Sequence, residues 1–116
     1  MLDKVVSSIV ALGVPGLVLL VAMAASGWAG GAAIVTALAT LGGPGGMLGG
    51  IGVLIVMALI SKALADYGFE RLFVASVKGL REKGMSNEEI IRKVEGYPIS
   101  RSIKLRLYDE LKKLEE

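Results

Sequence analysis

The sequence predicts an all-α integral membrane protein: a membrane-embedded helical hairpin in its N-terminal half and a small cytoplasmic helical domain after it. Residues 5–61 contain no Asp, Glu, Lys or Arg, whereas residues 62–116 carry 12 basic and 10 acidic side chains. The uncharged stretch is also apolar, and the mean hydropathy of the 116-residue chain is +0.64. An uncharged apolar run of about 18 or more residues is typical of a membrane helix.

The composition argues against several classes of protein. The chain has no Cys and no His, which excludes disulfides, a thiolate nucleophile and imidazole ligands. No glycine precedes a lysine, so the phosphate-binding loop G-x-x-x-x-G-K-[ST] is missing. The adjacent acidic pairs do not converge on one substrate position. We therefore expect no enzyme and no cofactor.

Two segments are predicted to cross the bilayer. Residues 5–25 would span ~31 Å as a helix, with a kink at Pro15, and residues 47–65 would span ~28 Å. Lys62, near the end of the second span, is expected to reach the headgroups as an interface anchor. Lys62, Arg71, Lys78 and Arg81 follow this span, so the C-terminus is predicted to be cytoplasmic in a multi-pass protein of the cell membrane.

The segment between the two spans is harder to place. Residues 29–41 would reach only ~20 Å, which is typical of a re-entrant segment, and three thin spans are the alternative. Breakers flank it, with Gly27 on one side and the run 42–46 on the other. Trp28 is expected to anchor at the membrane–water boundary.

Two other interpretations of the apolar half remain open at this point. It could be the buried helix pair of a soluble protein, although a 55-residue tail would then have to wrap it. Residues 1–24 could also be a signal peptide that is cleaved after Ala22-Met23-Ala24.

Small residues recur at every fourth position of the apolar half. Close contact through such residues is how helices associate in lipid, so the rows predict tight packing. They favour homo-oligomerisation, although the alternative is that one hairpin merely folds on itself. The predicted packing residues are Ala25, Ala29, Ala33, Ala37, Gly42, Gly46 and Gly50.

The charged half is predicted to be helical throughout. With residues 1–61 as the transmembrane region, residues 62–83 form a juxtamembrane amphipathic helix and residues 84–116 a helical hairpin. Ser86 and Glu89 form a capping box for a helix over about 87–95, which ends at Gly96. The last helix begins near Ser100.

A resemblance appears in residues 84–114. Gly84-Met85-Ser86-Asn87-Glu88-Glu89-Ile90, then Ile99-Ser100 and Ser102-Ile103-Lys104, resembles the helix-turn-helix of the LuxR family of transcription regulators. The resemblance implies a scaffold helix followed by a recognition helix. It also implies that Arg101, Lys104 and Arg106 face DNA or another partner.

Two functions follow from these patterns. The leading one is a homo-oligomeric membrane assembly, in its sharpest form a poorly selective pore like a holin or a permeabilising effector. The absence of charge between residues 5 and 61 leaves no residue to select an ion. The alternative is a membrane-anchored helix-turn-helix module that binds a cytoplasmic protein or DNA. The leading interpretation requires a bilayer and further copies of the chain, and no nucleic acid.

Overall fold

Helices account for almost all of the described chain, in a computed structural model that describes residues 2–40 and 49–115. No strand occurs within those ranges, so the all-α prediction is confirmed. The six helices are α1 Leu2–Leu12, α2 Val14–Ala39, α3 Gly49–Tyr67, α4 Phe69–Glu82, α5 Asn87–Glu95 and α6 Arg101–Glu115.

The first predicted span is divided between two helices. Gly13 adopts a left-handed conformation (φ 76°), where α1 ends and α2 begins. Pro15 lies in the first turn of α2, where its missing N–H leaves no hydrogen bond unmade. The prediction of one kinked helix over 5–25 is therefore wrong, because the glycine-proline pair ends one helix and starts another.

Helix α2 forms the centre of the fold. Each residue from Val14 to Met23 is buried, and all five other described helices contact α2. At Gly27 the backbone leaves helical geometry (φ 70°, ψ −154°), and the helix resumes to Ala39. Within the described ranges, α2 is the one helix long and apolar enough to cross a membrane, so a two-span hairpin is not confirmed.

The predicted juxtamembrane helix over 62–83 is also divided. Residues 62–67 complete α3, Gly68 takes a positive φ of 88°, and α4 begins at Phe69. Glycine is favoured there because other residues clash in this region of backbone space. The buried face of α4 packs against α1 and α2, and it consists of Leu72, Phe73, Ser76, Val77 and Leu80.

The last two helices agree with their predicted bounds. The Ser86 hydroxyl accepts a hydrogen bond from the Glu89 backbone N–H at 3.2 Å, which confirms the predicted N-cap of α5. The side-chain amide of Asn87 joins two further elements. Its Oδ1 accepts from Arg81 of α4 at 2.8 Å, and its Nδ2 donates to Glu115 of α6 at 2.8 Å. These bonds tie α4, α5 and α6 to one another.

One polar side chain is buried in the core without a hydrogen-bond partner among the described residues. Ser76 is fully buried on α4, and its Oγ has no hydrogen-bond partner among the residues that the structure describes. A buried polar group without a partner costs about 1–3 kcal/mol.

We expect Ser76→Ala to raise the free energy of unfolding by about 1 kcal/mol, because it removes this unsatisfied hydroxyl. Chemical denaturation of the full chain measures the change. Ser7→Ala is the matched control, since Ser7 is an exposed helical serine with the same propensity difference from alanine. Equal effects of the two substitutions would show that the buried hydroxyl carries no penalty.

A second substitution tests the close contact between α1 and α2. A Cβ at Gly16 would lie 2.2 Å from the Ile9 carbonyl oxygen, a backbone atom that cannot move aside alone. We expect Gly16→Ala to lower the free energy of unfolding by about 1–3 kcal/mol, as overpacking does. Gly96→Ala is the control, because the nearest atom to a Cβ there is 3.6 Å away. Thermal unfolding that is unchanged by Gly16→Ala would contradict the close approach.

Candidate functional site: an uncharged helical surface

The distal part of α2, from Gly27 onward, exposes small and apolar side chains. Trp28 is 45% exposed, the only large apolar side chain of α2 among the exposed ones. The other side of this segment is buried, through Gly31, Ile34 and Leu38. The remaining exposed positions up to residue 36 are Ala29, Ala32, Ala33 and Thr36. None of these side chains carries a charge, so this part of the surface has no charged group that water can solvate.

Helix α3 adds a second apolar face beside it. Leu54 and Ile55 are 53% and 56% exposed, and the opposite face of α3 is buried through Val53, Met57 and Ile60. The Met57 methyl lies 3.1 Å from where a Cβ on Gly31 would be, so α3 packs closely on α2 at this point. We call the exposed uncharged residues of these two helices, from Trp28 to Thr36 and from Leu54 to Ser61, the uncharged surface.

The two threonine hydroxyls at the distal end of α2 form hydrogen bonds with backbone carbonyl oxygens of the same segment. Thr36 Oγ1 donates to the Ala32 carbonyl oxygen at 3.1 Å, and Thr40 Oγ1 donates to the Ala37 carbonyl oxygen at 2.7 Å. Hydroxyls bonded back to their own helix need no water. The segment can therefore lie against an apolar solvent without stranding these polar groups.

The predicted interface anchors lie at the boundary between the uncharged and charged parts. Trp28 lines a cavity of about 340 Å³ together with Ser61, Phe69 and Arg106. Lys62, the first charged residue after the apolar stretch, is exposed and pairs with Asp66 at 3.5 Å. The ring of Trp28 thus lies at the level where charge first appears, which suits a membrane–water boundary.

The predicted packing residues have different surroundings. Ala25, Ala29 and Ala33 are exposed, and Ala37 is half-buried. Gly50 lies in the first turn of α3, while Gly42 and Gly46 lie outside the described residues. Ala33 and Ala37 line a cavity of about 300 Å³ that α2 shares with residues 98–103.

The glycines at which helices meet closely are others, Gly16, Gly31 and Gly79. A Cβ at Gly79 of α4 would lie 2.7 Å from a methyl of Val10 on α1. Sequence spacing missed Gly79 because it stands alone within an amphipathic pattern.

A polar cluster joins α5 to α6 around Glu95. The Tyr108 hydroxyl donates to the Glu95 carboxylate, and Arg101 Nη1 lies 3.0 Å from Glu95 Oε2. The Tyr108 hydrogen bond and, after it, the Arg101 charge lower the pKa of Glu95. Burial, with the Glu95 contact second, raises the pKa of Tyr108 to about 12.

The three cations expected to face DNA or a partner all have partners within the chain. Lys104 is buried, and its Nζ donates to the Glu95 carbonyl oxygen at 2.8 Å, so the expectation that it faces outward is wrong. Its amphipathic stem lets it cross the interface and cap the end of α5. Arg101 binds Glu95, and the Arg106 guanidinium stacks 5.4 Å from the Phe69 ring centre.

The chain is an all-α protein of six described helices with one helix that could span a membrane. No protein-family model, curated protein sequence or solved structure matches it. The similarity of residues 84–114 to the LuxR-type helix-turn-helix thus rests on its short motifs alone.

The polar cluster gives stability a dependence on alkaline pH. Because the folded-state pKa of Tyr108 is about 12, against an ordinary value of 10.0, the unfolded chain loses this proton first. Stability is then lost as the pH rises from 10 towards 12. We expect Tyr108→Phe to flatten this decline, as measured by urea unfolding below and above pH 10.

Tyr97, whose pKa is also raised by burial, serves as the internal control, because the substitution leaves it in place. Absorbance titration of tyrosinate should lose one late-titrating ring in the variant. An identical decline of stability in both proteins would contradict the assignment to Tyr108.

Proposed function

We propose that this protein is a small membrane-active protein that inserts α2 and α3 into a bilayer, associates with further copies and permeabilises the membrane. The uncharged surface meets the lipid. Helices α4–α6 stay in water on the cytoplasmic side. In its inserted form the protein is multi-pass, and its pore is poorly selective.

The observation that carries this proposal is the exposure of Trp28, Leu54 and Ile55 on helices that bear no charge before Lys62. Exposed apolar patches that are continuous mark sites of interaction with proteins or membranes. Here Leu54 and Ile55 lie on α3, and Trp28 lies on α2, whose 26 residues are long and apolar enough to cross a membrane by length and composition, although Gly27 divides them into two helical segments. Lipid is therefore the partner whose chemistry fits the surface best.

Charge supports the proposed orientation. Lys62 and Arg71 follow α3 closely, whereas Lys4 is the one basic side chain of the N-terminal part. Basic residues that flank membrane segments stay in the cytoplasm. The polar cluster around Glu95 and the tie through Asn87 keep α4–α6 together as one charged unit.

The small exposed residues of α2 support self-association. Ala29 and Ala33 are exposed and lie four residues apart on the helical segment after Gly27, while the break at Gly27 separates the exposed Ala25 from them. Helices in lipid lack a hydrophobic drive towards each other and associate where small residues allow backbones to approach. A lumen built from these helices has Ser, Thr and backbone groups to offer, which gives little selectivity between ions.

The alternative function, a membrane-anchored module that binds a partner through α5 and α6, has less support. DNA would have to displace Glu95 from Arg101 and Phe69 from Arg106, and Lys104 is buried. A cytoplasmic protein that contacts α5 or α6 is compatible with the membrane proposal and would act on it from outside.

We expect the full-length protein to release dye from vesicles of phosphatidylcholine and phosphatidylglycerol. Ile55→Glu should lower the release rate at least about tenfold, because an acidic side chain in the bilayer costs roughly 2.5–3.5 kcal/mol. Leu105→Glu is the matched control: Leu105 is also half-exposed (52%) but lies on α6, outside the uncharged surface.

Crosslinking in the vesicles supplies a second measurement, in which active protein should give a ladder of multiples of the chain. Sealed vesicles with wild-type protein, or equal losses from the two glutamate substitutions, would contradict the proposal. Sealed vesicles with protein that still floats with them would favour the anchored module.

A further inference from the structure

Helix α4 shields the most apolar part of the chain from water. Its inner face, with Leu72, Phe73, Val77 and Leu80, packs on α1 and α2. The segment Val14–Met23 beneath is entirely buried. The outer face of α4 is charged and exposed through Glu70, Arg71, Lys78, Arg81 and Glu82. A helix that could cross a membrane is thus half-covered by an amphipathic one.

The contact between α4 and the N-terminal helices α1 and α2 is apolar. Across the described ranges, no side-chain hydrogen bond or ion pair joins residues 2–67 to residues 69–115. The polar contacts of α4 run to the C-terminal helices, through Arg81 with Asn87 and through Phe69 with Arg106. Lipid tails can replace such an apolar contact without leaving any polar partner behind.

The contact also contains a defect. The Ser76 hydroxyl is buried in it with no hydrogen-bond partner among the described residues. Separation of α4 from α2 would let this hydroxyl bind water, which favours the open state.

A single joint connects the two parts. Gly68 lies between α3 and α4 in a left-handed conformation, and a Cβ placed on it would meet nothing within 4 Å. The cation–π contact of Arg71 with the Tyr67 ring, at 5.6 Å, is the only side-chain interaction with a charged group that crosses this joint in the described residues. Rotation at Gly68 would move α4–α6 together, and it would break the apolar contacts with α1 and α2 but no ion pair or side-chain hydrogen bond of the described residues.

We infer that α4, α5 and α6, each of which contacts α2, together form a removable cover that swings away at Gly68 when the protein meets a bilayer, so that lipid replaces it around α1 and α2. The closed form holds the apolar helices in a water-compatible state. The open form is the one that inserts. This inference rests on the proposed membrane activity.

A disulfide between α1 and α4 tests whether the cover must open. A Cβ at Gly79 would lie 3.7 Å from the Val10 Cβ, which is close to the spacing of natural disulfides. The Val10→Cys change also removes the methyl that crowds position 79, and the chain has no Cys of its own. The double variant Val10→Cys/Gly79→Cys can therefore be locked by oxidation and freed by reduction.

Two readouts separate the cover from the pore. Dye release from the same vesicles reports permeabilisation, and the fluorescence of Trp28, the single tryptophan, reports insertion. We expect the oxidised double variant to release dye at least about tenfold more slowly than its reduced form, since a disulfide strongly restrains separation. It should also lack the blue shift of Trp28 that the reduced form shows.

Each outcome decides the question. Equal Trp28 shifts in the oxidised and reduced forms, or no shift in either, would overturn the cover. A shift confined to the reduced form, without dye release from any variant, would support the cover and refute the pore. Val10→Cys alone controls for the substitution, and matching circular dichroism of the two redox forms controls for folding.

A second variant tests the opposite direction. Gly79→Leu places a large side chain where even a Cβ lies 2.7 Å from Val10, so it should loosen α4 and raise the rate of dye release. Gly96→Leu, at a position where a Cβ has only ordinary contacts, should leave the rate unchanged. Slower or unchanged release by Gly79→Leu, in protein that remains helical, would count against the cover.

Discussion

Everything in this fold depends on keeping the segment Val14–Met23 out of water. Ten consecutive buried residues leave α2 without a solvent-facing side over almost three turns, so other helices must surround it. All five other described helices contact α2, with α1, α3 and α4 making the largest contacts. The radius of gyration, 12.7 Å, is close to the ~13 Å of a compact domain of about this length, so the charged helices pack closely against the apolar ones.

The apolar helices are not covered evenly, and the proposed function depends on the part that stays exposed. The first half of α2 is enclosed, while the half beyond Gly27 and the facing helix α3 keep uncharged exposed faces. Among the described residues the charged helices bond to one another and not to the apolar ones. The molecule is therefore built from an apolar part and a charged part that share hydrophobic contacts, the cation–π contact of Arg71 with Tyr67 and one glycine joint. Such a contact is strong in water and weak in lipid.

The sequence predicted the local features well where a short-range rule decides them. Ser86 and Glu89 mark the start of α5 because the cap is made within one turn. The breaks at Gly13, Gly27 and Gly68 coincide with glycines, but only at Gly27 was the break itself anticipated. The exposed position expected for Lys104 was wrong, because its partner is a carbonyl nine residues away whose location depends on how α5 and α6 meet.

What the sequence determined by itself is the separation of charge: an apolar half, a charged half, helices throughout, and helix ends at strong breakers. These properties are local, since charge, propensity and capping act within a few residues. Only the tertiary structure decided which helix is enclosed, which faces remain open, and that α4 lies against α1 at Gly79. Those three features depend on packing between residues far apart in the chain. A run of apolar side chains with similar hydrophobicity does not specify which helix will pack against it.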